Sequence, residues 1–157
     1  MFTNLSAIEI EELINQQLIG RLGCYADDTM YIVPISYAYD GEYIYCRTFN
    51  GRKIEMMRKN PKVCFQVDNT RNLSNWKSVI CWGEYEELTA EKDRQLAIQQ
   101  LTARTLPINS SETMHITPEW PFMPDDLNDI QGIFFRIKLT EKSGRSERIS
   151  TQLFQDL

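Results

Sequence analysis

A chain of 157 residues, 42% of them hydrophobic, can bury one real core and is too short for two comfortable ones, so a single domain over 1–157 is expected. A formal charge of −5 and a pI near 5.0 argue against nucleic acid as a partner, because such modules need a basic footprint to neutralise phosphates. No apolar run approaches the roughly 18 residues that span a bilayer, and the N-terminus lacks a charged-then-apolar signal pattern, so a soluble, cytoplasmic protein with no membrane partner is expected.

Residues 1–20 carry a helix signature. Ser6 with Glu9 forms a capping box, Leu5 and Ile10 occupy the staple positions around it, and Gly20 is a ready stop. Ile10, Leu13, Ile14 and Leu18 make one apolar stripe, which reads as a lid over an open end of a barrel in preference to a partner-binding helix.

The span 21–88 reads as the barrel strands. Arg21–Ala26 and Met30–Asp40 are joined by the turn residues Asp27-Asp28, and Asp40-Gly41 turns into a strand in which Tyr43, Tyr45 and Arg47 alternate with Ile44, Cys46 and Thr48. Pro34 cannot donate to a ladder, so it marks an edge, a bulge or a place where the backbone faces a ligand. The strand ends at Asn50-Gly51, and Arg52 and Lys53 fall on the first turn of a helix to Lys59. Unpaired N–H groups and the positive end of the dipole favour an anion there, so two cations at that point read either as a solvated helix start or as a phosphate cradle. Asn60-Pro61 stops the helix and VCFQV resumes as a strand. Asn69 to Asn75 is turn-rich, and Trp76 to Leu88 returns as a long strand with Gly83 as a bend.

Thr89 can cap a helix over 89–105 whose apolar face is Leu96, Ala97, Gln100 and Leu101. The span 106–130 holds Pro107, Pro118, Pro121 and Pro124 and reads as irregular and interfacial, with Trp120, Pro121, Phe122 and Met123 docking on the barrel or a partner subunit. The span 131–148 is a closing strand and turn: Ile133, Phe135, Ile137 and Leu139 share a face, and Ser143-Gly144 makes the turn. Residues 149–157 read as a tail.

Cys24, Cys46, Cys64 and Cys81 sit singly in four different predicted strands, a spacing that suits small buried thiols and not zinc. His115 is the only histidine, so neither a histidine-based metal site nor a Ser-His-Asp triad is expected.

The order VPISYAYDGEYIYCRTFNGRKIEMMRKNPKVCFQV followed by WKSVICWGEYEEL resembles the flavin-binding split barrels related to pyridoxamine 5'-phosphate oxidase, and within them the nitroimidazole-resistance branch. The resemblance spans roughly Leu5 to Arg148. It implies a mainly β fold with flanking helices (a β-barrel, α+β in class), specifically a six-stranded antiparallel split barrel that binds FMN as a homodimer, with the flavin between subunits. It further implies that Arg52 and Lys53 bind the phosphate, and that Val33, Pro34, Ile35 and Ser36 lie beside the isoalloxazine ring. Thr48 and Ser78 would hydrogen-bond the cofactor, Lys77 and Val79 would approach it with Ser78, and Trp76 would cap the ring or fill the subunit interface. Arg47 stands where relatives often carry a histidine, so that histidine's role is not carried over; a cation there suits a reduced, anionic flavin. The further carboxy-terminal region of the true vitamin oxidases has no match, and their reaction is not expected. The implied activity is an oxidoreductase that passes electrons from a reduced nicotinamide to a small acceptor such as a nitroaromatic. The alternatives are a flavin sensor or store without turnover and a haem-binding barrel, which would need His115 or a cysteine as axial ligand.

Overall fold

The computed structural model describes residues 1–104 and 129–149. In chain order these hold β1 (Phe2–Asn4), α1 (Ala7–Gln16), β2 (Ile19–Ala26), β3 (Thr29–Ser36), β4 (Ala38–Tyr39), β5 (Tyr43–Thr48), α2 (Arg52–Lys59), β6 (Lys62–Asn72), β7 (Asn75–Glu87), α3 (Glu91–Thr102) and β8 (Ile133–Arg148). The strands form one antiparallel sheet in the order β3-β2-β6-β7-β8-β5-β4, with β1 added to β8. This is the expected mainly β, split-barrel type of fold, but the sheet has eight strands where six were expected. The two extra members are the short β1 and β4, three and two residues long. The two ends of the sheet do not pair with each other, so a gap lies between β3 and the β5-β4 end.

Alternation along the strands makes the core. Leu22, Phe65, Val67, Val79, Cys81, Phe135 and Ile137 point to one side and are sealed by Leu5, Ile10, Leu13 and Ile14 of the α1 region and by Ile54, Met56 and Met57 of α2. A second cluster forms on the other side of β5, where Tyr45 and Phe134 meet Ala97, Ile98 and Leu101 of α3. The buried stripe of α3 therefore runs through Ile98, while Leu96, expected on that face, is exposed.

Several local expectations are replaced. The capping box at Ser6 and Glu9 is present, but α1 ends at Gln16 with Gln17 in extended conformation. Gly20 lies inside β2 instead, because the Phe65 ring occupies the space a Cβ would need: its nearest atom is 2.1 Å from that position. The residues Ser143-Gly144 do not turn; β8 runs straight through them, and the missing Cβ of Gly144 admits Leu5 and Ile10. Likewise β6 continues to Asn72, so most of the turn-rich stretch is strand, and α3 is preceded by Ala90 with no side-chain cap from Thr89. Gly83 does sit at a register shift between β7 and β8. The Asp27-Asp28 turn has φ of 51° and 56°, the left-handed pair that a two-residue hairpin of matching twist requires. His115, the Trp120–Met123 knot and residues 150–157 lie outside the described residues. No helix among the described residues is long and apolar enough to cross a membrane.

Candidate functional site

The start of α2 packs on β2, with Arg52 beside Tyr31 of β3. Gly51 precedes it in extended conformation, no side chain caps it, and Glu55 N–H closes the first turn on the Gly51 carbonyl at 3.1 Å. The N–H groups ahead of Glu55 therefore have no intrahelical or side-chain acceptor. Nothing lies within 4 Å of where a Gly51 Cβ would be, so the approach to these donors is open. Ile54 and Met57 are fully buried and hold this helix end in place, with no loop left to fix it.

The two cations are positioned differently. Arg52 is exposed, and its guanidinium carbon lies 5.4 Å from the ring centre of Tyr31 on β3. Lys53 is half-buried and turned toward β2 and β5. Burial pushes the Cys24 thiol up to about 11, and the nearby Lys53 ammonium opposes that rise. The same two effects act on Cys46 in β5, where burial raises the thiol and Lys53 again opposes it. A positive cradle thus spans from the inner side of β3 to the inner side of β5. Thr48, at the end of β5, is buried on the same side as Cys46.

Val33 and Ile35 of β3 pack on the core, and Pro34 and Ser36 point outward. Pro34 pairs with Arg21 of β2 and has no strand on its other side among the described residues, so it lies on an edge strand. Arg47 alternates to the opposite face of β5 from Thr48, the face that carries Tyr45. It is nearly buried, its Nε donates to the Gln131 carbonyl at 2.7 Å, and its guanidinium lies 5.2 Å from the Phe49 ring. Burial pulls its pKa below the ordinary arginine value. Gly132, at φ +108°, makes room for it: a Cβ there would stand 3.0 Å from Arg47 Nε and 3.1 Å from the Thr48 carbonyl.

The β7 group stands apart. Val79 is buried in the core, Trp76 Nε1 donates to Glu147 at 3.1 Å, Lys77 lies 4.0 Å from Glu9, and Ser78 accepts from Gln66 Nε2 at 2.9 Å. Strands β2 and β6 separate this group from β3, an interval of about 14 Å at ordinary strand spacing. Within one chain the fold therefore brings together the β3 edge, the end of β5 and the start of α2, but not Trp76, Lys77 and Ser78. Sequence reasoning missed Tyr31, although it sits two residues before Val33 on the same side of an alternating strand. It also missed Gln131, Gly132 and Gln66, which only tertiary pairing brings to Arg47 and Ser78.

Among the described residues no cluster of histidine, cysteine and carboxylate side chains is arranged to hold a metal ion. The cradle chemistry fits a phosphate monoester: two adjacent cations, free backbone donors and a Cβ-free approach.

Comparison with known proteins gives a consistent result. A family model described as Pyridoxamine 5'-phosphate oxidase matches residues 6–146. An uncharacterized protein of Rhizobium meliloti is 33% identical over 150 residues, covering 90% of this chain and 93% of that one. The crystal structure of a FAD-binding protein from Mesorhizobium loti is 32% identical, with a TM-score of 0.68 over 93% of this chain and 98% of that chain. A candidate 5-nitroimidazole antibiotic resistance protein from Bacteroides thetaiotaomicron shares the fold at 17% identity, with a TM-score of 0.69 over 93% of this chain and 87% of the other.

Proposed function

The chain belongs to the pyridoxamine 5'-phosphate oxidase family, and from that premise we propose that it is an FMN-dependent oxidoreductase carrying electrons from a reduced nicotinamide to a small acceptor of the nitroaromatic kind. The observation that carries this reading is the uncapped start of α2, with Arg52 and Lys53 beside open backbone donors. A flavin supplies the redox chemistry itself, so the protein need only hold its phosphate, orient its ring and tune its electronics.

Arg52 and Lys53 hold the phosphate, and the Tyr31 ring lies beside the exposed Arg52 guanidinium. Thr48 offers a hydroxyl near the cradle, and the edge strand Val33–Ser36 presents a backbone side that no strand among the described residues occupies. Arg47, on the opposite face of β5 and bonded to the Gln131 carbonyl, lies outside this cradle. FMN is chosen because two adjacent cations suit one terminal phosphate. FAD, which the Mesorhizobium loti relative is described as binding, presents its phosphates as a diphosphate. Trp76, Lys77 and Ser78 join this cradle only from a second copy, so the working form is a homodimer with the flavin between subunits.

The absorption spectrum of the purified protein, followed by mass identification of what heat releases, tests the cofactor: FMN is expected, and a colourless protein that takes up no flavin overturns the reading. Anaerobic mixing with reduced nicotinamide then tests turnover. Bleaching of the flavin and its recovery on adding a nitroaromatic are expected, whereas a flavin that never bleaches makes the protein a store or sensor. Replacing Arg52 and Lys53 together by alanine is expected to weaken FMN binding by about two to four decades, from roughly 1.5–3 kcal/mol per charge-assisted hydrogen bond. Unchanged affinity in a folded double variant rules out the cradle.

A further inference from the structure

Strands β3 and β4 lie at opposite ends of the sheet, yet they follow one another in the chain with a single residue, Tyr37, between them. On one side of it Ser36 pairs with Ile19 of β2, and on the other Ala38 pairs with Tyr45 of β5. Tyr37 belongs to the core under α1 and α2, whereas Ala38 belongs to the core under α3. Tyr37 is thus the joint at which the chain steps from one end of the open sheet to the other. Its position sets where the edge strand β3 ends.

The joint is pinned from three directions. The Tyr37 ring is buried, with the Phe65 ring edge-on at 5.0 Å, and its hydroxyl donates to the Ile14 carbonyl at 2.5 Å. Burial pushes the Tyr37 phenol above its ordinary value, so it stays a donor near neutral pH. The third tie is Arg104, just beyond the end of α3. Its Nη1 donates to the Tyr37 carbonyl at 2.7 Å, its Nη2 to the Gln17 carbonyl at 2.5 Å, and its guanidinium carbon lies 5.0 Å from the Tyr37 ring centre. Helix α1 carries no cation in its own last turn, where its final carbonyls have no partner within the helix and the dipole is negative. Arg104 supplies that charge from a distant part of the chain, and one rigid fork bonds two carbonyls of different elements.

We propose that Arg104 is a positioning residue for the flavin: by holding the Tyr37 carbonyl it fixes the end of the edge strand Val33–Ser36, beside which the ring lies. This inference rests on the flavin reading and deepens it. The strand needs such a tie because β2 bonds it on one side only among the described residues, and Pro34 has no N–H to offer. A ring that must first order its own binding edge loses affinity, and an edge already held does not carry that cost. The same helix provides a contrast. Arg94 Nη2 donates to the Ile130 carbonyl at 2.8 Å and its guanidinium lies 5.4 Å from the Phe134 ring, so it makes the same kinds of contact in the core that excludes β3.

The test compares Arg104→Ala with Arg94→Ala in the full chain. Both are expected to lower the thermal midpoint by several degrees, since each removes a buried tie of α3. Only Arg104→Ala is expected to weaken FMN binding, by about tenfold, the equivalent of one charge-assisted hydrogen bond. It alone should also move the absorption bands of bound FMN toward those of free FMN, and speed amide exchange across Val33–Ala38 several-fold in flavin-free protein. Arg104→Lys keeps the charge without the fork and is expected to fall between wild type and Arg104→Ala; it replaces the alanine variant if that one does not fold. An Arg104→Ala protein that matches Arg94→Ala in FMN affinity, spectrum and exchange overturns the proposal, as does an Arg104→Lys protein identical to wild type when it alone folds. A wild-type protein that takes up no FMN overturns the flavin reading instead. Faster exchange across Val33–Ala38 in Arg104→Ala would then still support the joint, and unchanged exchange would overturn that as well.

Discussion

Both faces of β3-β2-β6-β7 carry large apolar side chains, and those side chains meet opposite fates. On the inner side Leu22, Phe65, Val67, Val79 and Cys81 are sealed by α1 and α2; on the outer side Met30, Ile32, Ile80 and Trp82 stand in water. One strand supplies both, through the twofold alternation of its side chains. The difference teaches that an apolar strand face records that something covers it and not what does. The chain's own helices cover the inner face, and none of the described residues covers these outer side chains. The inner face should therefore govern folding stability.

Two glycines of β2 probe this contrast most directly. Gly20 looks inward onto the buried Phe65 ring, and Gly23 looks outward with Cys64 Sγ 2.6 Å from its would-be Cβ. Gly20→Ala is expected to lower unfolding free energy by about 1–3 kcal/mol, the usual range for overpacking a filled core. Gly23→Ala is expected to cost less than about 1 kcal/mol, because the Cys64 side chain can rotate away from the sheet. Denaturant titration of both variants measures this, and equal losses would erase the distinction between the faces.

The four cysteines give a chemical version of the same contrast. Cys24, Cys46 and Cys81 are buried, and burial pushes the Cys24 thiol to about 11 and Cys81 to about 12, so none is expected to react with a thiol reagent in the native protein near neutral pH. Cys64 lies half-exposed on the outer face. It is therefore the cysteine expected to label first in the native protein, counted by mass spectrometry. Equal labelling of all four would erase the difference between buried and half-exposed thiols.

The smallest expected effect lies away from both faces. Burial works to raise the Asp40 carboxyl, but N–H groups of Tyr43 and Glu42 and the Tyr45 hydroxyl outweigh it and hold Asp40 below the usual carboxylate range. A depressed folded pKa adds stability that is present above the unfolded value and is lost as pH falls through the folded one. Asp40→Asn should remove that acid-side slope, below about pH 4, by well under about 1 kcal/mol given its exposure to solvent. Denaturant midpoints from pH 2 to 6 measure it.

Much of the fold was legible because it depends on neighbours in sequence. The capping box at Ser6 and Glu9, the left-handed Asp27-Asp28 turn, the Arg52–Lys59 helix and its stop at Asn60-Pro61 all follow from local backbone chemistry. Glycine was where local reasoning failed. Gly20 and Gly144 look like a helix stop and a turn, yet each is a place where a distant side chain, Phe65 or Leu5, needs the room. The candidate site divides along the same line. Arg52 and Lys53 were visible because a helix start and its dipole are local, whereas the support of Arg52 by Tyr31 and of Arg47 by Gln131 and Gly132 depends on strands paired across long stretches of chain.

Periodicity, capping and turn chemistry in these residues were thus enough to specify a β meander, three helices and a cationic helix start, because each is decided within a few residues of chain. Tertiary structure decided that β3 is an edge, that β2 and β6 separate β7 from it, and that no described residue covers the outer apolar side chains. Those outcomes depend on which strands pair and on what packs over them, and a side chain on a pleated strand carries no record of whether its cover is its own chain or another.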